Sequence, residues 1–198
     1  MTEHMITLHG GCFTGGSASW DKEQTACLEK EGLTVHQLDF PKDNLEHTIE
    51  YLIRYLSSFD TPPHILGRSS GGYLAKIIHD KYPHLIDKAI YLSPVFNPVV
   101  RARHNPQFKE RQDSYFRYLM RSNKSNEQST EAEYLIPNTD TFNPSTELLL
   151  LASHDENVPV ECFTEEQLDA ADSLGIRTHK GMTTTCSLKF QQVLNDFL

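Results

Sequence analysis

Short apolar runs alternate along this chain with longer stretches whose apolar residues recur at helical spacing. "MITLH" (5 to 9) reads as a strand ended by Gly10 and Gly11, and 21 to 31 reads as a helix stopped by Gly32. "TVHQLDF" (34 to 40) is a second strand closed by Pro41. Leu45, Ile49, Leu52, Ile53 and Leu56 then mark an amphipathic helix over 44 to 58. "HILG" (64 to 67) is a third strand, 70 to 82 a helix with Leu74, Ile77 and Ile78 on one side, and "KAIYLSPV" (88 to 95) a fourth strand.

The rhythm breaks over 96 to 145. This stretch holds Pro98, Pro106, Pro137 and Pro144 and the polar tract "RSNKSNEQSTEAE", with a helix predicted over 107 to 121 from Phe108, Tyr115, Leu119 and Met120. The alternation resumes with "TELLLLAS" (146 to 153), a strongly apolar strand. A helix is predicted over 161 to 173, a last strand at "GIRTHK" (175 to 180), and a last helix over 187 to 198 through Leu188, Val193, Leu194 and Phe197. Strands that alternate with helices and are apolar on both faces predict a mostly parallel sheet of about six strands covered on each side, an α/β three-layer sandwich. Right-handed crossovers place every strand's carboxyl end along one rim, where ligands bind in such sheets. The chemistry is therefore sought in the turns that follow strands.

Composition narrows the function classes. The 198 residues are 38% hydrophobic and 23% charged, with a formal net charge of −9, which suits one domain (1–198) that carries the insert at 96–145 within it. An acidic balance argues against a nucleic-acid surface, and no apolar run approaches a membrane span. "MTEHMITLHGG" brings an acid early and has no basic region ahead of an apolar stretch, so it does not read as a secretory leader. Cys12, Cys27, Cys162 and Cys186 form no C-x-x-C pair, and the expectation is buried, reduced thiols in a cytoplasmic protein. The ten histidines show no metal-ligand spacing, so no metal site is expected. Nothing in the sequence speaks to oligomeric state.

Gly67-Arg68-Ser69-Ser70-Gly71 fits G-x-S-x-G between a predicted strand and a predicted helix. A serine on such a turn projects at the sheet rim, and small residues on either side let strand and helix approach closely. The amide of Ser70 opens a helix and is suited to stabilise a developing oxyanion. His9-Gly10-Gly11 follows the first strand and offers a second backbone donor from Gly11 or Cys12. Asp155 follows the most apolar strand, ahead of Val158-Pro159.

Together, H-G-G, G-x-S-x-G and D-x-x-V-P, in this order and each after a strand, resemble the α/β-hydrolase superfamily of small esterases and lipases. The resemblance covers essentially the whole chain and puts 96 to 145 where such proteins carry a lid. It implies a compact member with Ser69 as nucleophile, Asp155 as the acid that orients the base, and the Gly11 and Ser70 amides as an oxyanion hole. It implies no metal and no organic cofactor, and a small-molecule carboxylic ester or thioester as substrate.

The base is where the sequence departs from that pattern. Related esterases often carry a G-M-x-H turn after the last strand, whereas this chain reads Gly181-Met182-Thr183-Thr184, with Thr184 in the histidine slot. A threonine hydroxyl takes up no proton near neutral pH. His179 is the histidine that lies beyond Asp155, and it stands near the carboxyl end of the predicted last strand; it is the candidate base ahead of His154 and His104. His9 is read as a structural residue that holds the glycine turn. Two readings follow: a serine hydrolase working through Ser69, Asp155 and His179, and a catalytically impaired relative that binds a ligand or partner.

Arg68 either pairs with a carboxylate behind the turn or meets an anionic part of a substrate. The insert concentrates positive charge: Arg101, Arg103, Lys109, Arg111, Arg117, Arg121 and Lys124 stand against Glu110 and Asp113 over that span. Such a patch on an acidic body draws in an anionic ester, or is a solvated helix face.

Overall fold

A computed structural model describes residues 3–11, 22–41, 44–104, 139–152, 155, 157–173 and 188–198. Among them, six strands form one sheet: β1 (His4–Leu8), β2 (Thr34–Leu38), β3 (His64–Arg68), β4 (Ala89–Leu92), β5 (Glu147–Leu151) and β6 (Ala171–Ser173). The order is β2-β1-β3-β4-β5-β6, and every neighbouring pair is parallel. The α/β sandwich expected from the alternation is what the chain forms. Among the described residues the α-helices are α1 (Lys22–Lys30), α2 (Leu45–Leu56), α3 (Ser70–Lys81), α4 (Pro98–His104), α5 (Glu165–Asp169) and α6 (Leu188–Phe197).

The period of two along each strand sorts side chains to two cores. Ile6, Leu8, Ile65, Tyr91, Leu149 and Leu151 pack with the apolar stripes of α2 and α3. Met5, Leu66, Ile90, Leu92, Leu148 and Leu150 pack on the other face with Leu28 of α1 and Phe190 and Leu194 of α6. Asn44 caps α2, its side-chain oxygen accepting the His47 N–H at 2.8 Å, and the buried positions Leu45, Ile49, Leu52 and Leu56 follow the expected stripe. Lys88 reaches the end of α6: its Nζ donates to the carbonyls of Phe197 and, at 3.2 Å, Leu198. A cation there complements the negative end of the helix. Among the described residues no helix is long and apolar enough to cross a membrane.

Two elements differ from the sequence reading. The helix expected over 161 to 173 is one short turn, Val160–Cys162, followed by the brief α5 and then by β6. Thr164 restarts the helix with a capping box, its side chain accepting the Gln167 N–H while Gln167 reaches back to the Thr164 amide. Ala171 to Ser173 then pair with Leu149 to Leu151, so pairing with β5 overrides local helical preference. The strand expected at 175 to 180 and the helix expected at 107 to 121 lie outside the described residues. Inside the insert, α4 begins at Pro98, a residue taken in the sequence as a breaker. Proline suits the first turn of a helix, where no backbone donor is needed, and Asn97 caps it by accepting the Val100 N–H at 3.0 Å.

The thiols also depart from expectation. Cys162 is free, but Cys27, buried on α1, is in a disulfide whose partner lies outside the described residues.

Candidate active site

Ser69 lies between the last residue of β3 and the first of α3 with φ 54° and ψ −118°. A non-glycine residue in this region is strained and persists only where its surroundings hold it. They do so through the main chain. The Ser69 N–H donates to Leu92 O at 3.0 Å, and Ser69 O accepts from Gly72 N at 3.1 Å and Val95 N at 2.9 Å. The glycines around it have no room for a side chain. A methyl on Gly67 would lie 2.3 Å from Gly71 O, and one on Gly71 would lie 2.1 Å from Leu8 O. The first turn of α3 is thus pressed onto the end of β1. Ser69 itself is partly exposed at the rim rather than packed inside.

The rim is crowded at that point because the chain order reverses there. From β1 the chain passes to β2 on one side, then returns to β3 on the other, and ligands in open α/β sheets bind at such a switch point. Gly10, just past β1, approaches Ser69 so closely that a methyl on it would lie 3.1 Å from Ser69 Cβ and 3.7 Å from Oγ. Gly11 follows with φ 69°, a left-handed conformation that suits glycine. His9 fixes this turn from beneath. It is buried, stacks on Phe40 at 4.8 Å, places Nδ1 2.7 Å from Gly10 O, and sets Nε2 3.6 Å from Asp39 Oδ1. That is the holding role expected of it. Ser70 is buried as the first residue of α3, where helix amides point outward and carry partial positive charge. Cys12 lies outside the described residues.

Asp155 follows β5, two strands from β3, on the same rim. Its Oδ1 accepts the N–H groups of Asn157 at 2.8 Å and Val158 at 3.0 Å. Burial pushes its carboxyl above the ordinary carboxylate range. The two amides, the donated Ser93 hydroxyl and the nearby Arg101 guanidinium oppose that rise without cancelling it. Ser93 is a residue the sequence reading passed over. It follows β4, is buried, has φ 42°, and its N–H donates to Leu150 O at 2.9 Å. The two strained serines therefore link the rim: the Ser69 turn is tied to Leu92 and Val95, and Ser93 between them touches Asp155. The signal for it was the "LSP" that ends the fourth strand, which resembles an ordinary turn.

Arg101 was read as one charge in a basic stretch. It lies on α4 beside the turn at Val160–Cys162 and acts electrostatically on both Asp155 and Cys162. Arg68 is buried at the end of β3. His104 is exposed at the end of α4. His179, His154 and Thr184 lie outside the described residues, so the base proposed from the sequence is not among the groups placed here.

A second polar cluster sits at the opposite end of β5. Lys76 Nζ is 2.7 Å from Glu147 Oε1 and 2.8 Å from Asp80 Oδ1, Tyr91 Oη donates to Glu147 Oε1 at 2.8 Å, and His79 Nδ1 is 3.2 Å from the same oxygen. His79, Asp80 and Glu147 bring metal-ligand atoms together, but the Lys76 ammonium already stands among the carboxylates as their cation. Lys76 also donates to Thr141 O at 3.2 Å, and Glu147 Oε2 accepts the Asn143 N–H at 2.7 Å. The cluster thus anchors the returning end of the insert to α3 and β5.

No protein-family model and no curated protein matches this sequence. Solved structures do. A pyrethroid hydrolase from Sphingobium faniae JZ-2 is similar with a TM-score of 0.64 at 16% identity, over 100% of this chain and 97% of that one. Polyneuridine aldehyde esterase gives a TM-score of 0.62 at 15% identity, over 99% of each chain. An extracellular α/β-hydrolase from a Paenibacillus species, described as sharing homology with tobacco salicylic acid binding protein 2, gives 0.58 at 18% identity, over 97% of this chain and 96% of that one. The parallel sheet with its switch point at Ser69 and the near full-length likeness to these structures agree: the chain has the α/β-hydrolase fold.

Proposed function

We propose that this protein is a serine hydrolase that cleaves a small carboxylic ester or thioester through an acyl-enzyme. The observation that carries the reading is Ser69, a non-glycine residue held at φ 54° on a strand–helix turn, partly exposed at the switch point and pressed by Gly10. Strain of this kind has no packing purpose that an unstrained turn would not serve better. It presents a hydroxyl between a glycine turn and a helix N-terminus. The structural relatives named above as a hydrolase and an esterase support the reading.

In this mechanism Ser69 Oγ attacks the carbonyl carbon as its proton passes to an imidazole, assigned to His179. The oxyanion is held by the Gly11 and Ser70 amides. The leaving alcohol or thiol departs with that proton, water adds to the acyl-enzyme by the same route, and the acid is released. Asp155 orients the imidazole. Arg101 and the basic stretch after it favour an anionic ester, so turnover of such an ester falls as salt rises while that of a neutral one does not.

A second reading is favoured by Thr184 in the histidine slot and by the positive charge of Arg101 acting on Asp155. In it the fold binds a ligand or partner with little turnover. Hydrolysis of short p-nitrophenyl esters by wild type, Ser69→Ala and His179→Ala separates the two. The hydrolase reading expects turnover that is lost in both variants. Wild-type turnover no faster than Ser69→Ala refutes it.

A further inference from the structure

On the flank of the sheet that faces α2, away from the Ser69 rim, two imidazoles from adjacent strands meet. His4 opens β1 and His36 lies in β2, with Ile6 of β1 opposite His36. Both side chains point to the α2 face, on a diagonal that the pleat brings together. His4 Nδ1 and His36 Nε2 are 3.0 Å apart, and the other nitrogen of His36, Nδ1, is 3.0 Å from Tyr55 Oη. The rings are walled in: Phe59 stands edge-on to both, 5.2 Å from each centroid, and Tyr55 packs on Phe59 at 5.6 Å. Both histidines are partly exposed, so the pair is fixed on one side and open on the other.

We propose that His4 Nδ1 and His36 Nε2 form a two-imidazole chelate for a divalent transition metal of tetragonal preference, Cu(II) or Ni(II). The two nitrogens are as close as a hydrogen-bonded pair, so one ion held about 2.0–2.1 Å from each takes them as adjacent, cis ligands, which the right angles of square-planar and octahedral coordination accommodate with the least movement of the rings. Imidazole is a suitable ligand for both metals. Tyr55 supplies the supporting contact that metal-bound histidines usually have. With the His36 Nδ1 proton donated to Tyr55 Oη, the ring is oriented and its Nε2 lone pair is directed outward. In the metal-free pair His4 Nδ1–H donates to that lone pair. On metal binding His4 moves this proton to its own Nε2, both facing lone pairs go to the metal, and no net proton is released. Water fills the remaining positions on the open side. The His79–Asp80–Glu147 group offers no such opening, because Lys76 supplies its cation.

The chain has ten histidines, so the test must separate this pair from the others. Cu(II) titrated into the intact protein is followed by electron paramagnetic resonance, whose nitrogen couplings count bound imidazoles. The proposal expects one tight equivalent with two nitrogens in wild type. His36→Gln and His4→Gln should each lose the two-nitrogen signature, and Tyr55→Phe should weaken binding about tenfold. Because the site joins two strands of the native sheet, Ni(II) should raise the melting temperature of wild type and leave both glutamine variants unchanged. Copper binding in His36→Gln equal to that of wild type, or a wild-type spectrum with a single coupled nitrogen, overturns the proposal.

Discussion

Asp155 is a carboxyl whose burial works against stability. Its carboxylate is buried, and burial outweighs the two amides, the Ser93 hydroxyl and Arg101, leaving its proton affinity raised. A carboxyl whose folded value is above its unfolded value binds more protons when native, so its contribution to stability declines as pH rises through the weakly acidic range. Asparagine keeps an oxygen for the Asn157 and Val158 amides and carries no charge. Asp155→Asn should therefore melt at or above the wild-type temperature at neutral pH, with the difference opening as pH rises from about 4, while ester turnover falls. Thermal melts across pH check this, and an asparagine variant that is less stable at neutral pH than in acid, relative to wild type, contradicts it. What was legible of the candidate site at this scale was residue type and order, Ser69 on its strand–helix turn, Asp155 after β5 and the two glycines after β1. Ser93 and Arg101 were not legible, because each acts on Asp155 only once the chain has folded, Ser93 from the end of β4 and Arg101 from α4.

Among elements, the regular ones were legible and the interrupted ones were not. β1 to β5 follow their apolar runs, and α2 follows the stripe of Leu45, Ile49, Leu52 and Leu56, since in each case one period decides which face is buried. β6 failed because Ala171-Asp172-Ser173 carries no apolar pattern and is a strand only by pairing with β5. α4 failed because Pro98 was weighed as a breaker rather than as a first-turn residue. The Lys76–Glu147 cluster was equally hidden, its members lying 71 positions apart. It holds the insert's return against α3, and its energetics are lopsided. Glu147→Gln leaves the Lys76 ammonium half-compensated in the core and should cost about 3–5 kcal/mol, whereas Tyr91→Phe removes one hydrogen bond to a charged group and should cost about 2 kcal/mol. Urea unfolding measures both, and a Glu147→Gln variant no less stable than Tyr91→Phe contradicts this ranking.

At the scale of the molecule, the fold came through because apolar strands alternate with amphipathic helices and three motifs each follow a strand, which together point to a parallel sheet covered on both faces. The redox state did not come through, since spacing alone said nothing of which thiols meet. Cys27 is disulfide-bonded, whereas Cys162 is free and its thiol is pushed up to about 11 mainly by burial. Thiolate is the reactive form. Native protein should accordingly resist alkylation at Cys162 at neutral pH, and Cys27 should be alkylated only after reduction and unfolding; peptide mapping that finds Cys27 modified without reductant contradicts the bond. The central claim is that the strained Ser69 turn exists to present a nucleophile, and intact-mass analysis after treatment with a fluorophosphonate tests it most directly. The account predicts one adduct on the wild-type chain and none on Ser69→Ala. A wild-type chain that stays unlabelled, or a Ser69→Ala chain labelled to the same extent, would contradict it.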